Sequence, residues 1–595
     1  MESTIICTNY RLLYEVRSRS FCSNYKNHTL YAKLAGFRVN SERANLSTGT
    51  PFKPFGPLTL TTQSNISTND APKSAPKQPR LLRSGLTVSI MTFLSRVLGL
   101  LRDVVIAGLM GAGAAADVFF FANKIPNFLR RLFAEGAFAQ AFVPVLTEYH
   151  HGKSLDETRL LIARAAGTLG TLVGVVTLVA VVLSPVVAAL FGMGWFLDWY
   201  NGGPDGAKFE LASLLLRITF PYLFFITLTA LAGAVLNTMG RFAVAAFTPV
   251  LLNVAIISAA IFVSPKLAQP EIGLALGVFF GGIIQFLFQL PFLKRAGVLV
   301  WPKWGWRDPG VIRIRTLMIP ALFGVSVSQI NLLFDTLIAS FLQTGSISWL
   351  YYADRLLEFP LGLFGIAIAT VILPALSARH VNQSLNDFRQ TLDWGVRMVV
   401  ILGVPAMAGL IVLAEPMLMA LFMRGEFAAS DALRASWALT AYATGLLSFM
   451  LVKVLATGFF ARQDTKRPVK YGIIAMASNM VLNVVFAIPY GYVGLAIATA
   501  LSGTINALLL GAVLYREGVL ALPKATLLFI TRVVLAALVM AAVVLWFNPE
   551  RELWIHAALL QRILWLAGLI GTGAITFGAS FVVLGGRARQ LKTAH

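Results

Sequence analysis

Fourteen apolar segments, each about 20 residues long or longer, occupy almost all of the chain from Gly85 onward. A helix needs about 20 apolar residues to cross a bilayer, and only structures that satisfy their own backbone hydrogen bonds can do so. The pattern therefore predicts an all-α, polytopic membrane protein with 14 transmembrane helices. The composition agrees, because 57% of the 595 residues are hydrophobic and 13% are charged. The predicted spans are 86–111, 113–134, 159–183, 213–237, 244–263, 272–293, 313–342, 347–376, 391–413, 434–459, 470–489, 493–516, 526–547 and 560–585.

The loops between these segments alternate in charge. Every second loop is basic, as at 294–307 and 462–470, whereas the intervening loops are neutral, acidic or mixed. Because basic loops stay in the cytoplasm, the alternation predicts that both termini are cytoplasmic. The same rule accounts for the net charge of +22, so we expect the basic surface to face anionic membrane lipid and not nucleic acid.

The leader, residues 1–83, differs from the rest of the chain. It is rich in Ser, Thr, Asn and Pro, and it has twelve Lys and Arg against four acidic residues. It has no long apolar run, so it is not a secretory signal peptide, and we expect it to be disordered. The composition of the leader is consistent with an organelle transit peptide, with a translated upstream region and with a disordered tail. Both cysteines, Cys7 and Cys22, lie here, which leaves no thiolate metal site in the remainder.

An internal repeat divides the remainder of the chain. FFFANKIPNFLRRLF (119–133) matches LYYADRLLEFPLGLF (350–364), and FVPVLT (142–147) matches ILPALS (372–377). Each half contains six spans, an even number, so both halves enter the membrane from the same side. This predicts a parallel repeat about an axis along the membrane normal, as in many transporters. The last two spans lie outside the repeat.

Charged residues interrupt the apolar sequence between Thr92 and Tyr149. A charge near the bilayer centre costs a few kcal/mol or more, so such side chains are expected to face a water-filled cavity or a partner. An arginine-lined cavity favours an anionic, phosphate-bearing substrate, because guanidinium binds two phosphate oxygens at once. Among these charges are Arg96, Arg102, Asp103, Asp117, Lys124, Arg130, Arg131 and Glu135.

Five motifs are specific enough to indicate a family. They are SRVLGLLRD (95–103), AADVFFFANKIPNFLRRLFAEGAFAQAFVPVL (115–146), VSQINLLFDTLIASFL (327–342), YYADRLLEFPLG (351–362) and ARQDTKRPVK (461–470). Together they resemble the MurJ/MviN family of lipid II flippases, within the multidrug/oligosaccharidyl-lipid/polysaccharide (MOP) exporter superfamily. The resemblance covers about 85–595, and the leader is the departure from it.

The resemblance implies a transporter and not an enzyme. Its MOP-type fold would comprise an N-lobe (84–310), a C-lobe (311–520) and a C-terminal helix pair with a cytoplasmic tail (521–595). The implied cargo is lipid II, an undecaprenyl pyrophosphate that carries a disaccharide–pentapeptide. It would move from the cytoplasmic to the outer leaflet of the bacterial inner membrane for peptidoglycan synthesis, and hence for cell-wall growth and cell shape. If the leader is a transit peptide, an organellar membrane is implied instead.

The resemblance also assigns roles to the buried charges. It implies substrate-binding side chains, and it implies gate residues, with Asp103 and Glu135 near the cytoplasmic opening. Interfacial side chains or salt bridges within the protein explain the same charges as well, so both interpretations stay open. The substrate set is Arg96, Arg102, Arg130, Arg355 and Asp117, and the gate set is Asp103, Glu135, Asp354 and Glu358.

A second group of polar residues resembles the sodium site of some family members. Asp335 lies in the middle of the seventh span, Asn479 and Asn483 share a face of the eleventh, and Thr499 lies on the twelfth. Their hard oxygen atoms suit Na⁺ as a coupling ion, while ordinary hydrogen bonds between helices are the alternative. No other cofactor is expected.

Other functions fit the sequence less well. A transporter of a different lipid-linked glycan would keep the fold and change the cargo. A drug or cation exporter would favour acidic and aromatic side chains in its cavity, against the arginine excess. A membrane glycan ligase would need catalytic groups in its outer loops, which are short and whose only histidine is His556.

Overall fold

A computed structural model describes residues 79–132, 137–381, 384–521 and 523–587, and every regular element within them is helical. The predicted disorder of the leader concerns residues almost entirely outside this part. The first helix begins at Pro79, a few residues before the predicted end of the leader.

The helices are numbered here in chain order, with one 3₁₀ turn and one π-helical segment named by residue. They are α1 Pro79–Met110, α2 Ala114–Arg130, α3 Ala137–Gly152, α4 Leu155–Val182, α5 Ser184–Phe191, α6 Met193–Asn201, α7 Gly206–Thr219, α8 Pro221–Thr238, α9 Phe242–Phe262, 3₁₀ Ser264–Lys266, α10 Pro270–Arg295, α11 Pro309–Ala339, α12 Ser346–Pro360, π Leu361–Gly365, α13 Ile366–Val381, α14 Leu385–Val412, α15 Ala414–Phe422, α16 Ala429–Thr444, α17 Leu446–Phe460, α18 Lys466–Arg516, α19 Lys524–Phe547, α20 Arg551–His556 and α21 Leu559–Val583.

Ten helical stretches in the described ranges are long and apolar enough to cross a membrane, which makes this a multi-pass membrane protein. The ten do not include α1, α2 or α11. They count α18 once, although Gly491 has non-helical dihedral angles and divides it into two segments. The number fourteen therefore stays a prediction.

Helix α3 fills a region to which the sequence analysis assigned no span. Its apolar side chains recur at helical spacing, with Phe138, Phe142 and Val145 buried on one face. This face packs against α8 and α11. The segment was missed because its polar residues lower its mean hydropathy, whereas its amphipathic pattern is what forms a helix against a neighbour.

In each half of the repeat, the same type of hydrogen bond joins an arginine to the glycine that follows the last helix of that half. In the first half, Arg159 at the start of α4 donates from Nε to the carbonyl oxygen of Gly297, at 2.6 Å. In the second half, Arg389 at the start of α14 donates from Nε to the carbonyl oxygen of Gly518. Both glycines have positive φ, of 70° and 66°, which ends the preceding helix in a left-handed turn.

The apolar core does not separate along the predicted lobe limits. Its larger buried cluster contains residues of most helices of the first half, of the second half and of the C-terminal pair α19 and α21. A smaller cluster joins α3, α4, α8, α10 and α11. Helix α11 thus contacts both halves, and the limits at 310 and 520 stay predictions.

Candidate functional site

The two halves of the repeat meet at the end of the bundle that carries the turns 111–113 and 343–345, here called the 111/345 end. Asp117, on the first turn of α2, is buried there. Its carboxylate accepts hydrogen bonds from the backbone N–H of Gly345 at 2.6 Å and from the N–H and hydroxyl of Ser348 at 2.8 and 2.7 Å. An acid of one half therefore caps the N-terminus of α12 in the other, where the helix dipole favours a negative charge.

Glycine residues allow the backbones of the two halves to come into close contact at this end. The N–H of Gly194 donates to the Ser340 hydroxyl at 3.0 Å, and a Cβ at Gly194 would lie 2.3 Å from the Ser340 carbonyl oxygen. The N–H of Glu426 donates to the Gly108 carbonyl oxygen at 3.0 Å, across a similarly tight approach by Gly425. Only glycine fits such contacts, so this end is closed by shape as well as by polar bonds.

A charge cluster lies one layer further in and is centred on Asp103, whose side chain is 2% exposed. One carboxylate oxygen accepts from Arg102 at 2.7 Å and from the Tyr351 hydroxyl at 2.9 Å, and the other lies 3.1 Å from Nε of Arg355. Arg355 also donates to Tyr351 at 3.0 Å and to Glu358 at 3.1 Å. The cluster therefore ties α1 to α12, with Arg102 and Arg355 sharing one carboxylate as their counterion.

Asp103 lies seven residues before the end of α1, next to the 111/345 end. Its expected place near the cytoplasmic opening stays a prediction. Its partners Tyr351 and Arg355 lie on the first turns of α12, after the 343–345 turn, so Asp103 secures the end of α1 that is next to the 111/345 end.

The other predicted substrate arginines lie apart from this cluster. Arg96 is exposed and makes no hydrogen bond or ion pair within the described ranges, and its guanidinium lies against Gly362, where an added Cβ would be 2.5 Å from Nη1. Arg130 donates to Asn127 at 3.1 Å. Its neighbour Arg131, which is not in the predicted substrate set, donates to Gln329 at 3.4 Å. Glu135 lies outside the described residues. Among the predicted substrate arginines, Arg96 is therefore the one without an acceptor in the part of the chain that the structure describes.

The predicted cation ligands come together between α11 and the two segments of α18. The Asn483 amide nitrogen lies 2.5 Å from a carboxylate oxygen of Asp335 and 2.9 Å from the Asn479 side-chain oxygen. The Asn479 amide in turn approaches the Thr499 hydroxyl at 3.5 Å. The Asn483 side-chain oxygen is buried and has no hydrogen-bond partner. Rotation of that amide would present four oxygen atoms with a single negative charge, a set that fits a small monovalent cation.

Lys124 faces this group from the first half. Its ammonium donates to the Thr336 hydroxyl at 3.3 Å and interacts electrostatically with Asp335 and Asp354. No ion pair within 4.0 Å joins Lys124 to either carboxylate in the described part of the chain. Asp354 is exposed, and it is Glu358 and not Asp354 that pairs with Arg355. Lys124 was predicted from the sequence to be one of the buried charges, but no role was predicted for it.

Two further residues of the site were missed. Asn253 on α9 accepts a hydrogen bond from Arg102 at 3.0 Å and donates one to the carbonyl oxygen of Ser95 at 3.1 Å. Asn253 therefore helps to hold the Arg102 guanidinium in position. Tyr351 stacks on Phe120, with ring centroids 3.8 Å apart. The repeat alignment contained this signal, because it places position 120 opposite 351.

The comparisons with known proteins agree with one another. The profile of a family described as "Lipid II flippase MurJ" matches residues 106–564. A "Probable lipid II flippase MurJ" of Vibrio cholerae serotype O1 is 66% identical over 515 residues, which cover 87% of this chain and 98% of the relative. A solved structure of "Lipid II flippase MurJ, inward closed conformation" is 28% identical, with a TM-score of 0.70 over 84% of this chain and 98% of that one.

A more distant structure shows the fold alone. It is an inward-facing multidrug resistance MATE transporter of the MOP superfamily, 14% identical, with a TM-score of 0.58 over 73% of this chain and 98% of that one. The helical architecture is thus that of the MOP transporters. With the family profile matched over most of the chain, this protein belongs to the lipid II flippase MurJ family.

Proposed function

We propose that this protein is a lipid II flippase that moves undecaprenyl-pyrophosphate-linked peptidoglycan precursor across the membrane by alternating access. Family membership supports the cargo. The observation that carries the proposal is the arginine set between the two halves. Arg96 has no acceptor among the described residues, while Arg102 and Arg355 share Asp103. A pyrophosphate supplies several strong acceptors for guanidinium groups, so it is the anion that such a set recognises best.

The proposed orientation follows the alternating loop charges. Basic loops in the cytoplasm place both termini there and put the 111/345 end at the outer side of the bacterial inner membrane. The conformation described is then closed at the outer side. Its cargo would enter from the cytoplasmic side, where α1 begins and Arg96 is exposed.

Binding and opening are coupled through Asp103. While this carboxylate neutralises Arg102 and Arg355, α1 and α12 stay joined. A pyrophosphate that takes over either guanidinium leaves Asp103 with one partner fewer and weakens the outer closure. Hydrogen bonds to charged groups contribute about 1.5–3 kcal/mol each, so exchanging one or two shifts a closed–open equilibrium by roughly tenfold or more.

The cation coupling is a second part of the proposal. The sequence pairs Lys124 with Arg355 in the repeat, and each faces an acid of the other half, Asp335 and Asp103 respectively. In this conformation the Arg355 pair is formed and the Lys124 pair is not. A Na⁺ bound at the Asp335 group would neutralise that acid in place of Lys124, so occupancy of the site and approach of Lys124 are alternatives.

Complementation tests the activity. The full chain is expressed in bacteria depleted of their own flippase, and lipid II exposed on the outer leaflet is measured beside Arg96→Ala and Arg355→Ala at equal membrane levels. Arg516→Ala is the matched control, because Arg516 is exposed at the end of α18. We expect restoration by the parent and the control and loss in both variants. A parent that reaches the membrane and restores nothing would assign a different lipid-linked glycan as cargo.

A further inference from the structure

The segment 296–308, between α10 and α11, exposes three tryptophans although its backbone is firmly held. Trp301, Trp304 and Trp306 are 87%, 63% and 38% exposed. Exposing an indole ring to water is unfavourable. Tryptophan is enriched at the membrane–water interface, because its ring is apolar and its N–H is polar. Here the segment is called the tryptophan loop.

The tryptophan loop is anchored to α4 by its backbone. The N–H of Lys303 donates to the Ala163 carbonyl oxygen at 2.9 Å, and the N–H of Gly305 donates to the Thr168 hydroxyl at 3.1 Å. A Cβ at Gly167 would lie 2.2 Å from the Lys303 carbonyl oxygen, so the two backbones touch. Because its backbone is held this closely, the loop presents its side chains in fixed positions.

The anchor lies where α4 changes from polar to apolar. Residues 155–164 contain four charged side chains, and 165–182 contain none. The uncharged part, 18 residues long, spans about 27 Å at a rise of about 1.5 Å per residue, close to the thickness of the hydrocarbon core. The loop contacts α4 at 163–168 and therefore lies at the membrane–water boundary.

The tryptophan loop and the residues that flank it in sequence are mostly basic, although Arg313 pairs with Glu148 and Arg159 with Asp156. Between Lys294 and Arg315 there are six basic residues and a single acid, Asp308. That acid is already engaged, because it pairs with Arg164 and caps α11. The guanidinium of Arg315 lies 4.3 Å from the centroid of the Trp306 ring, which itself stacks with Trp304. Such a surface complements anionic headgroups.

A cavity beside the loop provides room for one headgroup. It has a volume of about 520 Å³ and is lined by Arg159, Lys294, Gly297 and Leu299. Arg159 keeps its guanidinium in place through Gly297 and Asp156, and Lys294 is exposed at its rim. Two cationic side chains suit a phosphodiester, and Leu299, 46% exposed, suits the glycerol and upper acyl chain.

We propose that the tryptophan loop and this cavity form a binding site for one anionic phospholipid, with its phosphate between Arg159 and Lys294. The repeat supplies a natural contrast. The equivalent segment of the second half, 518–523, has the same arginine–glycine bond but reads GVLALP, with neither tryptophan nor a basic residue. The site therefore belongs to the first half alone and fixes α4 and α10 to the membrane surface.

Native mass spectrometry of the full-length protein in detergent tests the site. The probes are phosphatidylglycerol, phosphatidylcholine and inorganic phosphate. Lys294→Gln/Lys303→Gln removes two charges, and Trp301→Ala/Trp304→Ala removes two rings. The controls are Lys524→Gln and Trp546→Ala at the two ends of α19, since Lys524 is exposed and Trp546 is 84% exposed.

We expect phosphatidylglycerol to bind the parent and both controls. The lysine double variant should bind it roughly 30-fold more weakly, because each of the two basic residues contributes about 1 kcal/mol at a membrane surface. The tryptophan double variant should bind it severalfold more weakly. Phosphatidylcholine affinity should change by less than about twofold. Unchanged phosphatidylglycerol affinity in both double variants overturns the proposal. Displacement by inorganic phosphate at equal concentration assigns a phosphate site, and a dimer lost in the tryptophan variant assigns a second copy of the chain; either result also overturns it.

Discussion

Asp117 and Ser348 occupy equivalent positions in the two halves of the repeat and hydrogen-bond to each other, with the Ser348 N–H and hydroxyl 2.8 and 2.7 Å from one carboxylate oxygen. Phe120 and Tyr351, the next equivalent pair facing the same way, stack at 3.8 Å. Equivalent residues meet only close to the axis that relates them. The pseudo-twofold axis of the transporter therefore passes between α2 and α12, where the 111/345 end is closed.

Replacing Asp117 should loosen this closure. Asp117→Asn keeps one acceptor oxygen but loses the charge that favours the α12 N-terminus, so the open population should rise severalfold, from about 1 kcal/mol per hydrogen bond. The measurement is the rate at which a cysteine at the buried Ala112 reacts with a membrane-impermeant maleimide, with Cys7 and Cys22 replaced. Ser348→Ala removes one donor of three and should have a smaller effect. Equal rates in all three proteins would contradict the assignment.

The Tyr351 hydroxyl should stabilise the closed conformation independently of its ring. Tyr351→Phe removes the contacts to Asp103 and Arg355 but keeps the stack on Phe120. We expect a loss of about 1–2 kcal/mol of stability, seen as a lower midpoint of thermal unfolding in detergent. Tyr351→Leu also loses the stack and should lower the midpoint further. If both variants unfold at the midpoint of the parent, the hydroxyl has no such role.

Lys124 should weaken cation binding at the Asp335 group. In Lys124→Met, the competing positive charge is absent. The dissociation constant for ²²Na⁺ should therefore fall about tenfold, because the repulsion between the ammonium group and the bound cation is removed. Lys124→Arg keeps the charge and is the control. Asp335→Asn should abolish binding. Because this assay measures binding alone, an unchanged affinity in Lys124→Met would reject the competition without bearing on lipid II transport.

Gly194 should tolerate no side chain. A Cβ there would lie 2.3 Å from the Ser340 carbonyl oxygen, and backbone cannot move aside as a flexible side chain does. Gly194→Val should therefore hold the 111/345 end apart and increase labelling at position 112 while the protein still inserts. Gly409→Ala is the matched control, because nothing lies within 4 Å of its added Cβ. Labelling of the Gly194 variant at the parent's rate would show that the contact is not needed for closure.

Glu517 should make stability depend on pH near the end of α18. Partial burial raises the pKa of this carboxyl, but hydrogen bonds from Arg462 and Arg467 outweigh burial and hold the pKa below its usual value of 4.5. A lowered folded-state pKa stabilises the protein above the unfolded-state pKa, and the effect is lost as pH falls through the folded value. Glu517→Gln should lower the free energy of unfolding at pH 7 by at most about 1 kcal/mol, because the ion pairs are largely exposed. This loss is seen as a lower midpoint of thermal unfolding. The difference from the parent should vanish at acid pH; a constant difference would exclude the carboxylate as its cause.

The class of fold and the repeat were predictable from the sequence, because both depend on patterns along the chain. Apolar length determines where helices cross a membrane, and the match of 119–133 with 350–364 relates the halves without any knowledge of contacts. Asp335, Asn479, Asn483 and Thr499 were selected as polar residues inside predicted spans and by the family resemblance, and in the structure these residues lie together.

Which charges pair was decided only by the tertiary structure. Arg102, Asp103 and Arg355 all look alike in sequence as buried charges, and only the approach of α1 to α12 makes one carboxylate the shared partner of two guanidinium groups. Lys124 and Tyr351 gain their roles in the same way, from residues more than 200 positions away in the chain. Periodicity specifies what a helix buries, but the energy of a charge inside a membrane depends on distances to neighbours that only packing fixes.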